Sequence, residues 1–228
     1  MSIWARIAEA LSALASGEAL SAIFDRLRAA PERSVGFTIA VIALGAKMAK
    51  ADGEVTRDEV TAFRRVFAIP EGEEANAARV FNLARQDVAG FDAYARKIRA
   101  MFQADDRDVL IDLMEGLFHI AVADGQYHVK EDDFLEMVAG IFGLDGRCFR
   151  TLRARFVEGM SPDPYAVLGV AENAPLNEVR AAWKTAVRAS HPDAMIARGV
   201  PAEAVKLAER RLIAINAAWA EISAKQAA

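Results

Sequence analysis

The sequence predicts an all-α fold, and three observations support this prediction. Apolar residues recur three and four positions apart along most of the chain, which is the spacing of one helix face. The composition is rich in Ala and Leu and contains only three Tyr and three Trp, so helix formers dominate over strand formers. Gly and Pro interrupt the apolar pattern where helices are expected to end.

Residues 1–30 predict two N-terminal amphipathic helices. The first covers residues 3–14 and ends at Gly17, and the second covers residues 18–29 and ends before Pro31. Their apolar faces consist of Ile3, Trp4, Ile7, Leu11 and Leu14 in the first helix, and Leu20, Ile23, Phe24 and Leu27 in the second.

Residues 31–158 predict a helical bundle. A stretch of thirteen residues without charge, from Ser34 to Ala46, lies in a helix at 34–50 that we expect to be central and buried. This stretch is too short to span a bilayer as a helix. Further helices are predicted at 56–67, 73–86, 91–103, 105–122, 131–142 and 146–158.

An approximate internal repeat lies within this bundle. Ala51-Asp52-Gly53 and Ala123-Asp124-Gly125 each follow an apolar helix and precede an acidic helix start. In each copy, Gly supplies the positive φ of a turn and the acidic residues favour the next helix N-terminus. The arrangement resembles the TerB-like helical domain of tellurite-resistance-associated proteins, over roughly Val35 to Leu144.

Charge and composition exclude several classes of protein. The net charge of −4 and the pI near 5.5 argue against a general nucleic-acid binder. A single cysteine, Cys148, excludes an internal disulfide and a cysteine-clustered zinc site. The run from Asp52 to Glu59 imitates half of a calcium loop, but Met48 and Lys50 stand where its first ligands belong, so we expect no metal.

The C-terminal residues 163–228 predict a separate helical module after a break at Gly159–Pro162. Asp163 is suited to cap a short helix that starts with Pro164 and ends at Gly169. A helix at 176–190 and a longer one from Pro201 then form an antiparallel hairpin. The first of these helices carries a basic stripe, and the connection between them holds a tripeptide that we expect to be exposed. The basic stripe is Arg180, Lys184 and Arg188, and the tripeptide is His191-Pro192-Asp193.

This module resembles a J domain over about Asp163 to Ile222. The likeness rests on Asp163-Pro164-Tyr165, Leu168-Gly169-Val170, the basic stripe, the tripeptide, and Asn216 with Trp219. The long segment from Ala194 to Val205 is similar to that of DjlA-like J-proteins, in which a TerB-like domain precedes the J domain. Two departures are Trp183 in place of the usual Tyr, and Ala194 where Lys often follows the tripeptide.

The resemblance implies a co-chaperone that is not itself an enzyme and needs no cofactor. In the family, the basic helix docks on an acidic surface of a DnaK-type ATPase, and the tripeptide promotes ATP hydrolysis by that partner. His191 is expected to make a polar contact, Pro192 to stiffen the loop, and Asp193 to provide charge. A hydrolase that uses His191 and Asp193 is disfavoured, because no nucleophile accompanies them at a suitable spacing.

Two further expectations concern the body and the location of the protein. DjlA-like proteins usually carry an N-terminal membrane helix, but Arg6 and Glu9 interrupt the first apolar pattern, so we expect a cytoplasmic protein without a signal peptide or transmembrane segment. The TerB-like domain is expected to target or regulate the chaperone, which acts on client proteins. The alternative is a stress-response scaffold or ion-sensing module that uses the J domain only for docking.

Overall fold

A computed structural model describes residues 3–14, 18–25, 27, 32–52, 57–67, 69–87, 89–103, 106–157, 163–172 and 174–227. Every regular element in these ranges is helical, which confirms the all-α prediction. The helices are α1 (Ile3–Ser12), α2 (Glu32–Asp52), α3 (Arg57–Val66), α4 (Glu74–Gln86), α5 (Phe91–Arg99), α6 (Arg107–Ala121), α7 (Val129–Ile141), α8 (Gly146–Val157), α9 (Pro164–Leu168), α10 (Leu176–Ala189), α11 (Pro192–Ala197) and α12 (Ala202–Ala227). A short 3₁₀ helix, Leu20–Asp25, lies between α1 and α2.

The 3₁₀ helix lies where the sequence predicts the first half of an α-helix at 18–29. Leu20 and Ile23, three positions apart, are both almost completely buried. In a 3₁₀ helix residues three apart lie directly above one another, so this tighter winding buries the same apolar pair. The expected stops at Gly17 and Pro31 lie outside the described residues.

Helix α2 lies at the centre of a bundle formed by the 3₁₀ helix and α1–α8, which we call the body. Its apolar residues from Val35 to Met48 are at most 2 % exposed, which confirms the prediction of a central buried helix. It packs against α1, α4, α5 and α7, while α6 packs against α3, α7 and α8. The uninterrupted apolar composition of α2 therefore follows from having neighbours on all sides.

A second, smaller core lies within residues 163–228, which we call the C-terminal module. Helices α9, α10 and α12 contribute all of its buried residues except Ala174, which lies between α9 and α10. These are Leu168, Ala174, Val179, Ile215, Ala218 and Ile222. Helices α10 and α12 pack against each other as a hairpin around this core, as the sequence predicts.

Helix α12 takes part in both cores. Four residues near its start are buried in the core of the body, namely Ala204, Val205, Leu207 and Ala208. Ile215 and Ile222, further along, are buried in the small core. The Oγ of Ser34, in α2, accepts a hydrogen bond from the backbone N–H of Ala202 at 3.3 Å. The body thus supplies a partner for one of the free N–H groups at the start of α12.

The second copy of the internal repeat is a tight turn. Gly125 has a φ of +83°, and Asp124 Oδ1 accepts the N–H of Gln126 at 2.9 Å. Glu131 closes the next helix start by accepting the N–H of His128 at 2.9 Å. In the first copy, Ala51 and Asp52 end α2, and residues 53–56 lie outside the described residues.

Within the described part of the chain, none of the helices combines the length and apolarity that crossing a membrane requires.

Candidate partner-binding site

The C-terminal module begins with the predicted capped turn. Asp163 accepts the backbone N–H groups of Tyr165 at 3.1 Å and Ala166 at 3.2 Å, and Pro164 occupies the first helical position. Gly169 ends α9 with a φ of +68°, a conformation that favours glycine. Leu168 is buried and Tyr165 half-buried against the small core, so this turn supports the end of the hairpin.

Helix α10 has one apolar face and one basic face. Val179 is fully buried in the small core, and Ala186 and Val187 pack against it. The basic stripe, Arg180, Lys184 and Arg188, is exposed along the other face. Residues four apart are separated by about 6 Å along a helix axis, so the three cations form a short row. Within the described part of the chain, no carboxylate forms an ion pair with any of them.

Two tryptophans join α10 to α12. The rings of Trp183 and Trp219 stack with centroids 5.2 Å apart, and both pack against the small core. Trp183 Nε1 donates a hydrogen bond to Asn216 Oδ1 at 3.0 Å. Asn216, singled out in the sequence without a role, therefore fixes the rotation of the Trp183 ring and the register of the hairpin.

The tripeptide lies at the connection beyond α10 and is exposed. The side chains of His191 and Asp193 are 56 % and 89 % exposed. His191 precedes α11 as its N-cap, and its Nδ1 accepts the backbone N–H of Asp193 at 3.2 Å. A neutral imidazole that accepts at Nδ1 carries its proton on Nε2, so the ring presents a donor away from the helix.

The structure corrects the prediction that Pro192 and Asp193 lie in a loop, because they form the first turn of helix α11. Pro192 occupies the first helical position, where its missing N–H costs no hydrogen bond. Sequence reasoning missed α11, since it predicts only a connection between the helix at 176–190 and the helix from Pro201. Met195 is fully buried and Val200 is 6 % exposed, both in the core of the body. The segment 194–205 is mostly apolar, with Arg198 and Glu203 as its only charged residues, and this composition was the available signal.

Arg198 joins both sides of the tripeptide to the body. Its Nε lies 3.1 Å from Oδ1 of Asp106, at the start of α6, and the Asp106 side chain is 4 % exposed. The other nitrogens of the guanidinium donate to the carbonyl oxygen of Ala189, the last residue of α10, at 3.4 and 3.5 Å. Sequence reasoning missed this contact because Asp106 and Arg198 are 92 positions apart.

A second cation, Arg211 of α12, links the module to the middle of α6. Its Nη1 lies 3.1 Å from Oδ2 of Asp112, in an ion pair whose N–H is poorly directed for a hydrogen bond. Its Nε donates to the Oγ of Ser190, the buried residue before the tripeptide, at 3.3 Å. Burial raises the pKa of Asp112 to about 7, and the charge of Arg211 opposes that rise.

Metal chemistry has no centre in the described residues. No group of three or more His, Cys, Asp or Glu side chains is arranged there to hold a metal ion. Cys148 is half-buried, and burial raises the pKa of its thiol, which disfavours the reactive thiolate. Because Asp124 is engaged in its own turn, the second Ala-Asp-Gly unit has the turn-and-cap role that the sequence favours.

The body also contains an apolar cavity that sequence reasoning missed. It measures about 280 Å³ and lies between α2, α3, α4 and α6, with Met48, Phe63 and Phe81 among its lining. A Cβ on Gly45 would lie 2.5 Å from the Phe63 ring, so glycine makes room for this ring. Neither the tripeptide nor the basic stripe lines the cavity.

Comparison with known families identifies the body. Residues 38–154, just over half of the chain, match the family described as Tellurite resistance protein TerB. The chain belongs to the TerB family. The match lies within residues 31–158, where the sequence predicts a TerB-like domain, and residues 163–228 are outside it.

This TerB-family protein is DjlA-like. It is 29 % identical to the co-chaperone protein DjlA of Photobacterium profundum, over 82 % of this chain and 77 % of that protein. The DjlA proteins of Coxiella burnetii, 26 % identical over 77 % of this chain and 72 % of that protein, and of Haemophilus ducreyi, 24 % identical over 89 % and 82 %, are similar in the same way. No solved structure matches this TerB-family protein.

Proposed function

We propose that this TerB-family protein is a co-chaperone whose C-terminal module is a J domain that stimulates ATP hydrolysis by a DnaK-type chaperone. The observation that carries the proposal is the exposed tripeptide His191-Pro192-Asp193 at the end of an exposed basic helix face. The co-chaperone names of its relatives, which it matches over about four fifths of its length, support the same reading.

Attraction to the partner is assigned to the basic stripe. Arg180, Lys184 and Arg188 form a row of unpaired cations within the described residues, on a face directed away from the small core. Such a row favours an acidic surface, accelerates encounter and fixes orientation more than it adds affinity. Since exposed charges are screened by salt, this contribution weakens as ionic strength rises.

The tripeptide has the more specific role. His191 offers a donor at Nε2, and the Asp193 carboxylate, which is 89 % exposed, is accessible to a cation or a backbone N–H of the partner. Binding stimulates hydrolysis only where these contacts are better made in the hydrolysis-competent state of the ATPase than in its resting state. The protein therefore acts by shifting a conformational equilibrium and performs no covalent chemistry itself.

Single-turnover ATP hydrolysis by a DnaK-type chaperone tests the proposal. The full chain is expected to raise the rate, and His191→Gln is expected to abolish the increase while the circular dichroism spectrum is unchanged. His128→Gln is the matched control, because His128 is also an exposed residue at the N-cap of a helix, α7, but lies in the body. Unchanged ATP turnover in the presence of the wild-type chain would contradict the proposal.

The role of the basic stripe is tested separately by its salt dependence. Lys184→Ala is expected to raise the concentration of the chain needed for half-maximal stimulation and to flatten its dependence on salt. Lys130→Ala, at an exposed lysine of α7 in the body, is the control. If Lys184→Ala and Lys130→Ala had equal effects, the attraction would depend only on the net charge of the protein, and a specific role for the basic stripe would be refuted.

The alternative function, an ion-sensing or scaffolding body, has no specific contact in its favour. A titration with Ca²⁺ and Mg²⁺ followed by thermal unfolding checks it. An increase in the unfolding temperature that depends on the cation concentration would support the alternative.

A further inference from the structure

The body holds the segment that carries the tripeptide from both sides. Before the tripeptide, Ala189 and Ser190 accept hydrogen bonds from Arg198 and Arg211. These two arginines form ion pairs with Asp106 and Asp112 of the body. After it, Met195 is fully buried in the core of the body. Helix α11, whose first turn contains Pro192 and Asp193, is therefore anchored to the TerB domain.

We propose that Asp106 and Arg198 are positioning residues, whose ion pair fixes the orientation in which the tripeptide meets the partner. This inference rests on the proposed function and extends it, because it makes the start of α6 part of the partner-binding device. The contact is defined by the 3.1 Å separation of Arg198 Nε and Asp106 Oδ1.

One guanidinium spans the tripeptide. Arg198 follows Asp193 by five residues and donates to the carbonyl of Ala189, two residues before His191. By closing this short stretch of chain, Arg198 limits the rotation of α11 relative to the end of α10. Asp106 then fixes the guanidinium itself to the body.

Asp106 is held in turn by its own surroundings. Its Oδ2 accepts the backbone N–H of Gln103 at 3.1 Å, and it directly precedes α6, whose inward residues lie in the large core. A buried carboxylate that loses its cation is left uncompensated, so removal of Arg198 affects the geometry on both sides of the contact. Met195 anchors the same short helix by apolar burial, independently of charge.

The contact acts on geometry rather than on attraction. None of the described residues of the body forms an ion pair with the basic stripe, so the encounter with an acidic partner surface does not depend on Asp106. We therefore expect Asp106 variants to lower the maximal stimulation of ATP hydrolysis, with little change in the concentration that gives half of it.

The test compares Asp106→Asn, Arg198→Met and the double variant in the full chain. Each single variant is expected to lower maximal stimulation about tenfold. A displacement of the tripeptide by about 1 Å would cost up to about a hundredfold, and Met195 still anchors α11 in these variants, so the expected loss is smaller. The double variant is expected to lose no more than the worse single variant, because both residues act through one contact. Additive losses, or an effect on the half-maximal concentration alone, would overturn the assignment.

An ion pair on the same helix provides the matched control. Glu115 of α6 pairs with Arg155 of α8, so both members of this pair belong to the body. Glu115→Gln and Arg155→Met are expected to leave maximal stimulation unchanged. Equal losses in these controls would show that any weakening of α6 lowers activity, and the positioning role would be refuted.

Amide hydrogen exchange separates failure of this inference from failure of the proposed function. Exchange at residues 190–200 is expected to accelerate in Asp106→Asn and to stay unchanged in Glu115→Gln, whether or not a DnaK-type ATPase responds. A wild-type chain that gives no stimulation refutes the proposed function alone. Unchanged exchange and unchanged stimulation in Asp106→Asn refute the positioning role alone.

Discussion

Asp112 is expected to make the protein less stable as the pH rises from about 4 to about 7. Its side chain is 4 % exposed, and burial raises its pKa from the ordinary 3.8 to about 7. Arg211 favours the carboxylate, whereas Glu115 and Asp108 disfavour it. A carboxyl group with a raised folded-state pKa stabilises the fold fully below its unfolded pKa, and this contribution is lost as the pH rises through the folded pKa.

The magnitude follows from the size of the shift. The difference between a pKa of 3.8 and one of about 7 corresponds to about 4 kcal/mol of unfolding free energy, lost between pH 4 and pH 7. Asp112→Asn removes the titrating group while nearly preserving its shape. We therefore expect the variant to match the wild type near pH 4 and to become progressively more stable than it up to pH 8.

Urea unfolding at a series of pH values measures this difference, because other titrating groups are common to the two proteins. Asp92→Asn is the control, because this carboxylate lies on α5, pairs with Arg96 and is not among the charges that act on Asp112. Parallel curves for wild type and Asp112→Asn would refute the reasoning. A wild type that gains on the variant as the pH rises would show that attraction to Arg211 exceeds the cost of burial.

Three further predictions concern the C-terminal module. Met195→Ala is expected to lower the unfolding free energy by about 2–5 kcal/mol, and Met195→Leu by less than about 1.5 kcal/mol, because Met195 is fully buried. Urea unfolding measures both losses, and equal losses in the two variants would contradict the burial of Met195 in a packed core. Asp163→Ala is expected to cost about 1 kcal/mol and to speed amide exchange in α9, while unchanged exchange would exclude the cap. Trp183→Phe removes the bond to Asn216 but keeps the stack with Trp219, so thermal unfolding should report a loss of about 1 kcal/mol, and no loss would show that the bond is dispensable.

The sequence was sufficient to predict the features that depend on local spacing. The helical periodicity located α2, and the charge-free run from Ser34 to Ala46 indicated its central position. Asp163 and Gly169 marked the two ends of α9, since capping and positive φ are properties of single residues in a local context. Local chemistry left one element unresolved, because apolar residues three apart fit an α-helix and the 3₁₀ helix Leu20–Asp25 equally.

Contacts between distant segments could not be predicted in this way. Asp106 and Arg198 are ordinary charged residues in a chain with 28 basic and 32 acidic ones, and spacing alone does not select this pair. The exposure of the tripeptide was expected, but the buried base beneath it required the packed positions of α6, α11 and α12. The division of the chain at residues 158 and 163, and the roles of the tripeptide and stripe, remain predictions.

Because α12 contributes to both hydrophobic cores, the boundary at which the C-terminal module is cut matters for the design of chimeras. A cut near residue 160 assigns the whole of α12 to the C-terminal fragment. The start of that helix, however, is buried in the core of the body, and only its later part belongs to the small core. In an excised C-terminal fragment, Met195, Val205 and Ala208 become exposed to solvent. This exposed apolar patch promotes self-association of the fragment. A chimera that fuses the hairpin to another protein therefore needs an apolar surface on that protein that buries the first two turns of α12.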